Sequence, residues 1–317
     1  MTLTVPPGGG ILPVDKEPGP TSHDVVAMAR RSLGLRRVGH TGTLDPFASG
    51  LLLLLVGPLT RLSPYLTGQG KSYAATLKLG ETTDTDDAEG VVVTTREGWN
   101  VLGEDEIRSA MLGFTGAQLQ RPPVYSAKKI GGDAAHRRVR RGEQVDLPPS
   151  PVVIHELELE VWQPPYLHFR ASVGSGTYIR ALGRDLGEAL GVGGHLVALR
   201  RESVGAIPLE RAISLDRLRE GRVEATSWFS PLEALPDLLV TRPSAENLRR
   251  LRLGQPMIGE AGTSVGGVDP GAFQENTPVL VVEDGALVAI ARVRNGRLWP
   301  RTVFPPVGSA TGGAAGE

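Results

Sequence analysis

The hydrophobic and polar positions of this chain change period several times, and each change predicts an element. GILPVDK, residues 10–16, is short, apolar and closed by charge, which predicts a short strand. In SHDVVAMARRSLG the apolar residues recur at helical spacing. Ser22 stands where an N-cap belongs and Gly34 where a helix stops. GLLLLLVG, residues 50–57, is a leucine run between glycines and reads as a buried strand. KSYAATLKLG alternates polar and apolar residues, the period of a half-buried strand. EDEIRSAMLGF predicts a short helix with acids in its first turn, where the helix dipole favours them. VVIHELELEVW and YLHFRASVG read as a strand pair. GTYIRALGRDLGEALG reads as a helix that opens after a Gly-rich turn and closes at Gly191. GHLVALRRESVGAI is a further apolar-to-basic segment.

Past Leu235 the rhythm shortens. PVLVVEDGALVAIARVRNGRLWPRTVF predicts short strands joined by Asp-Gly and Asn-Gly hairpin turns. The expected organisation is a body over residues 11–235 and a small all-β domain over 236–307. The Pro/Gly-rich start (1–10) and the low-complexity tail (308–317) are expected to be disordered. Residues 122–150 are polar, basic and rich in Gly and Pro, and read as an excursion from the body. Strands and helices follow no βαβ rhythm. That favours an α+β fold with a mixed, largely antiparallel sheet.

Composition narrows this picture. The chain has 317 residues, enough for about two domains by a prior of roughly 100–200 residues each. Cysteine is absent, which excludes disulfides and thiolate chemistry and fits the cytoplasm. The first residues lack the basic and apolar regions of a secretory signal. The longest apolar run, Leu51 to Val56, is far short of the ~20 residues of a membrane-spanning helix. The net charge of −1 argues against a generic nucleic-acid binder, but the charges are segregated. Basic clusters lie at Arg30, Arg31, Arg36 and Arg37, at Lys128 and Lys129, and at 136–141 and 248–252. Acids gather at 81–90 and 104–106. Charge alone leaves two readings open, a positive face or solvated helix surfaces.

Metal-binding HExxH, Walker-type, Rossmann-type and Gly-x-Ser-x-Gly motifs are all missing, which favours chemistry without metal or cofactor. What remains is Asp45 in RRVGHTGTLDPFASGLLLLLVG, with Tyr73, Tyr178 and Arg180 as partners. Each has a plain structural alternative. Asp before Pro starts turns, tyrosine packs in strands, and arginine near a helix start faces solvent.

GHTGTLDPFASGLL resembles the signature of the TruB family of tRNA pseudouridine synthases. Other segments resemble that family in the same order: DKEPGPTSHD, KSYAATLKLGETTDTDDAEG, PPVYSAKK and GTYIRALGRDLGEALGVGGHLVALRRESVG. The resemblance runs from about residue 11 to 307. Two departures stand out. Glu17 replaces the proline usual after Asp-Lys, and Lys128 and His136 replace an aliphatic residue and a tyrosine.

The resemblance implies a pseudouridine synthase fold with a C-terminal β-barrel PUA domain that binds RNA. It implies an isomerase, an intramolecular transferase that converts uridine 55 in the T-loop of tRNA to pseudouridine. Asp45 is then the catalytic residue, acting on the sugar C1′, on the base C6 or through a glycal, with Tyr73 and Arg180 beside it. Tyr73 would stack on the target base. Arg180 would keep Asp45 charged where burial opposes ionisation. The resemblance assigns uridine and RNA contacts to His40, Tyr178, Leu199, Lys16, Arg36, Arg37 and Lys129. It implies a monomer that needs no cofactor, metal or guide RNA, and takes the T-arm of tRNA as its partner.

Overall fold

The computed structural model describes residues 5–126, 128–130, 133–134, 138, 141–143, 145–257 and 274–306. His136, residues 1–4 of the expected loose start, and the whole tail from 308 lie outside them. In chain order the strands are β1 (Gly10–Lys16), β2 (Val38–Thr41), β3 (Ser49–Val56), β4 (Lys71–Leu79), β5 (Glu81–Thr83), β6 (Val92–Thr95), β7 (Gly116–Gln120), β8 (Lys129–Ile130) and β9 (Asp133–Ala134). They continue with β10 (Ser150–Gln163), β11 (Tyr166–Val173), β12 (Gly194–Val204), β13 (Ile207–Pro208), β14 (Ile213–Ser214), β15 (Leu239–Thr241), β16 (Pro278–Glu283), β17 (Ala286–Arg294) and β18 (Arg297–Val303).

The central sheet runs β14-β1-β3-β12-β4-β11-β10-β7, with β2 beside β3 and β13 beside β12. Only β1–β14 and β3–β12 pair in parallel, so the sheet is mixed and largely antiparallel.

β3 is leucine-rich because both of its faces are covered, the situation in which strands lose alternation. Leu52, Leu54 and Val56 enter one core with Val25, Val26 and Ala29 of the helix Ser22–Leu33. Leu51, Leu53 and Leu55 enter a second core with Leu280, Ile290 and Phe304. β4 alternates instead. Tyr73, Ala75, Leu77 and Leu79 are buried in the first core, and the residues between them are partly exposed.

The helix Ser22–Leu33 is capped one residue earlier than its sequence suggests. Thr21 is the N-cap, and it closes a capping box with Asp24. Ser22 is fully buried and turns inward to Leu44, which frees Thr21 to cap. Gly34 ends the helix at φ 64°, the left-handed conformation that glycine adopts without strain.

β15 to β18 form a four-stranded sheet in that order. Its Asp284-Gly285 and Asn295-Gly296 turns carry positive φ at both positions, as such hairpin turns require. Among the described residues this sheet is open, with β15 and β18 at its edges. One face, with Leu280 and Ile290, packs on β3, and the other, with Val279, Val281 and Ala291, packs on Leu248 and Leu251 of the helix Ala245–Arg252. Residues 258–273, between the helix Ala245–Arg252 and β16, lie outside the described residues.

Candidate active site

Asp45 lies in the loop between β2 and β3. Two buried side chains hold that loop from behind. The Ser22 hydroxyl accepts from the Leu44 amide at 2.9 Å and donates to the Leu44 carbonyl at 3.1 Å. The Lys16 ammonium donates to the carbonyls of Ala48 (2.7 Å), Glu17 (2.9 Å) and Pro46 (3.2 Å). The Ala48 amide donates back to the Asp45 carbonyl at 3.1 Å, which tightens the turn.

Lys16, which the resemblance assigns to RNA, is thus engaged with the protein's own backbone. Its side chain has no exposed surface and its three donors are spent on backbone carbonyls. Burial lowers its pKa to about 8, with Arg201 adding to the fall and Asp45 and Glu89 opposing it.

Arg180 enters from the first turn of the helix Ile179–Ala189. Tyr178, the residue before that helix, is clasped by Gln120. Its amide donates to Gln120 Oε1 at 2.9 Å, and its carbonyl accepts from Gln120 Nε2 at 3.1 Å. The side-chain amide thereby ties the helix start to the end of β7.

The Arg180 guanidinium is 5 % exposed and engaged along its whole fork. Nε meets Asp45 Oδ2 at 2.8 Å. Nη1 donates to the Thr85 carbonyl at 2.8 Å and to Asp87 Oδ2 at 3.2 Å, and Nη2 donates to the Tyr125 carbonyl at 2.8 Å. Asp87 is itself buried, and accepts from Thr85 Oγ1 at 2.6 Å and from the Glu89 amide at 3.0 Å. One buried cation therefore bridges two carboxylates, only one of which reaches solvent.

The Asp45 side chain keeps 36 % of its surface. Protein nevertheless surrounds it enough that burial is the largest influence on its pKa, which is raised above the ordinary aspartate value. Asp87 adds to the rise, and Arg180 and Lys16 pull it back. Burial also raises the Tyr178 phenol, whose charge would be felt by both Arg180 and Asp45. These shifts place Tyr178 in the electrostatic neighbourhood of the carboxylate.

The other residues marked in the sequence are spread more widely. Tyr73 is 7 % exposed, packed in the core and paired across β4 with Ala171 and Arg201. Leu199 is buried in the same core. His40 sits edge-on to His23, with ring centroids 5.3 Å apart. Burial, His23 and Arg201 lower its pKa to about 4, so the ring is neutral at physiological pH. Arg36 and Arg37 are exposed, and Arg37 Nε donates to Thr60 Oγ1 at 3.0 Å. Lys129 opens the short β8–β9 hairpin, and its side chain lies outside the description.

Sequence reasoning missed Asp86, Asp87, Ser22 and Gln120. Asp86 pairs with Arg184 at 2.9 Å, beside the Asp87–Arg180 contact. Both acids belong to the run ETTDTDDAEG, a gathering of acids by composition that also lies in a segment resembling the family. The usable signal was the resemblance of this segment to the family, whose pattern ends its Thr-Asp-Thr-x-Asp on Asp87.

A partly exposed carboxylate held by a buried, fully engaged arginine has the chemistry of a nucleophile or a base toward a molecule bound beside it. The fold around it matches solved structures. One is a Cbf5-Nop10-Gar1 complex, with TM-score 0.70, 25 % identity, 96 % of this chain and 90 % of that one. Another is an H/ACA RNP bound to a substrate RNA containing 2′-deoxyuridine, with TM-score 0.68, 24 % identity, 94 % of this chain and 86 % of that one. The chain belongs to the TruB family of pseudouridylate synthases: the model of the family's N-terminal domain matches residues 30–179, and that of the tRNA pseudouridylate synthase B C-terminal domain matches residues 180–239. A protein from Arthrobacter sp. (strain FB24) called tRNA pseudouridine synthase B is 41 % identical over 94 % of this chain and 97 % of its own. One of the same name from Nocardia farcinica is 42 % identical over 97 % of each.

Proposed function

We propose that this chain is a tRNA pseudouridine synthase that isomerises uridine 55 in the T-loop, with Asp45 as its reacting carboxylate. The observation that carries this reading is the 2.8 Å pair between Arg180 and a carboxylate that still reaches solvent, inside a TruB-family fold. The reaction breaks the N-glycosidic bond, turns the base and forms a bond from C1′ to C5. Attack at C1′, attack at C6 and glycal formation all begin from ionised Asp45. Arg180 keeps the carboxylate charged and aimed, and Tyr178 and Tyr73 shape the pocket for the base. The test uses tRNA transcript carrying tritium at uridine C5. The new bond at C5 displaces that hydrogen, so the full chain alone should release label to water. Silence without a guide RNA would overturn the stand-alone reading.

The acid limb of the reaction follows from Asp45. Its pKa is raised, so the active carboxylate is lost as pH falls through a value above the ordinary ~3.9 for aspartate. The single-turnover rate should therefore fall tenfold per pH unit on an acid limb displaced upward. A limb at or below the ordinary value would contradict a desolvated Asp45.

The target uridine must leave its stack, which costs a few kcal/mol. We read Arg31, Arg36, Arg37, the basic excursion at 122–150 and residues 236–307, as a PUA-like domain, as the surface that offsets this cost through tRNA phosphates. Residues 11–235 are then the catalytic domain of a cytoplasmic monomer. Arg30 is partly committed, since it donates to the Val38 carbonyl at 2.8 Å. Log affinity for tRNA should fall linearly with log salt, with a slope near −0.7 to −0.9 per phosphate neutralised. Filter binding across a salt series reads this directly, and a flat plot would remove the positive face.

A further inference from the structure

Arg201 is a buried arginine that the reaction has so far not used. It lies on β12, opposite Gly50 of β3 and Tyr73 of β4. Its side chain is 1 % exposed. Nε donates to the Leu51 carbonyl at 2.6 Å and Nη2 to the Gly42 carbonyl at 3.0 Å. Gly42 and Leu51 stand on either side of Asp45. Among the described residues Arg201 forms no ion pair with a carboxylate, so the fold buries a charge whose desolvation is offset only by carbonyl dipoles.

The backbone is shaped to permit this. A Cβ on Gly50, at φ +97°, would lie 2.3 Å from the Arg201 carbonyl oxygen and 2.6 Å from its amide nitrogen. Gly42 has φ +69°, and a Cβ there would lie 3.4 Å from Arg201 Nη1. Both ends of the Asp45 loop therefore close directly on this one residue. Lys16 and Ser22 hold the middle of the same loop.

We propose that Arg201 is a positioning residue for Asp45: its planar fork joins the carbonyls of Gly42 and Leu51 and so sets where the carboxylate meets Arg180. This rests on Asp45 being the reacting group. A lysine would keep the charge but bring a single nitrogen to two carbonyls that approach from different stretches of chain.

The experiment compares wild type, Arg201→Lys and Asp45→Asn in the full chain on unmodified tRNA transcript. It reads the single-turnover rate, its pH profile, tRNA affinity and circular dichroism. Arg201→Lys should stay folded and bind tRNA within about threefold of wild type, while its rate falls about 10- to 100-fold, the scale expected for a displacement near 1 Å. Its acid limb should move up, because Asp45 loses part of the pull of Arg180. A folded Arg201→Lys with the wild-type rate and limb would overturn the proposal. So would a loss of affinity equal to the loss of rate, which would make the residue a binding one. If Arg201→Lys does not fold, Gly42→Ala displaces the same carbonyl from the other side and must show the lowered rate with affinity kept. A wild-type rate there is equally fatal. Turnover by Asp45→Asn would instead overturn the functional reading itself.

Discussion

Asp45→Asn is expected to abolish pseudouridine formation while leaving the fold and tRNA affinity nearly intact. The substitution keeps the shape of the side chain and removes its charge. Asparagine can neither attack C1′ or C6 nor accept a proton at the sugar, so all three routes stop. Removal of a reacting group of this kind costs on the order of 10⁴-fold or more in rate. Stability should change little. Burial already disfavours the Asp45 carboxylate, as its raised pKa shows, so neutralising it relieves a penalty. Arg180 keeps Asp87, Thr85 and Tyr125 as acceptors. Tritium release under single-turnover conditions, with urea unfolding beside it, checks both halves. Product at anything near the wild-type rate would remove Asp45 from the chemistry.

Arg180→Met should lose both activity and stability. Here the substitution strips four contacts at once and leaves Asp87 buried without its cation. Breaking a buried pair by removing one partner costs about 3–5 kcal/mol, because the stranded charge remains. Asp45 then also faces Asp87 without the intervening guanidinium, so its already raised pKa is pushed further up. Arg180→Lys retains charge but not the planar fork that reaches four acceptors. It should fold better than Arg180→Met yet remain slower than wild type, with an acid limb moved upward. Urea midpoints and single-turnover pH profiles separate these effects. A lysine variant with the wild-type profile would show that charge alone, and not the fork, is what Asp45 needs.

Most elements could be read from their periods. The strand at 10–16, the helix ending at Gly34, the leucine strand, the alternation at 71–79 and the two Gly-containing hairpin turns all depend on local pattern, and the structure places them accordingly. The cap of the first helix was misread because two adjacent hydroxyls, Thr21 and Ser22, compete for one role. Only the distant Leu44 backbone decides which of them turns inward. At the site, Asp45 was marked by an ordered series of motifs. Asp87 lies in one of the same motif segments, but its role was not legible, since nothing local says that an arginine 93 residues later will bury it.

The sequence by itself determined the family, the α+β class, the single carboxylate to watch and the absence of cysteine chemistry. These depend on residue type and spacing, which are local. Tertiary structure alone decided that Lys16 faces inward, that Arg180 bridges Asp45 and Asp87, and that Arg201 closes the loop between Gly42 and Leu51. Each depends on burial and on strands far apart in sequence meeting in one sheet. A charged side chain has the same chemistry wherever it stands in the chain, and only the fold sets whether water, a carbonyl or a carboxylate answers its charge.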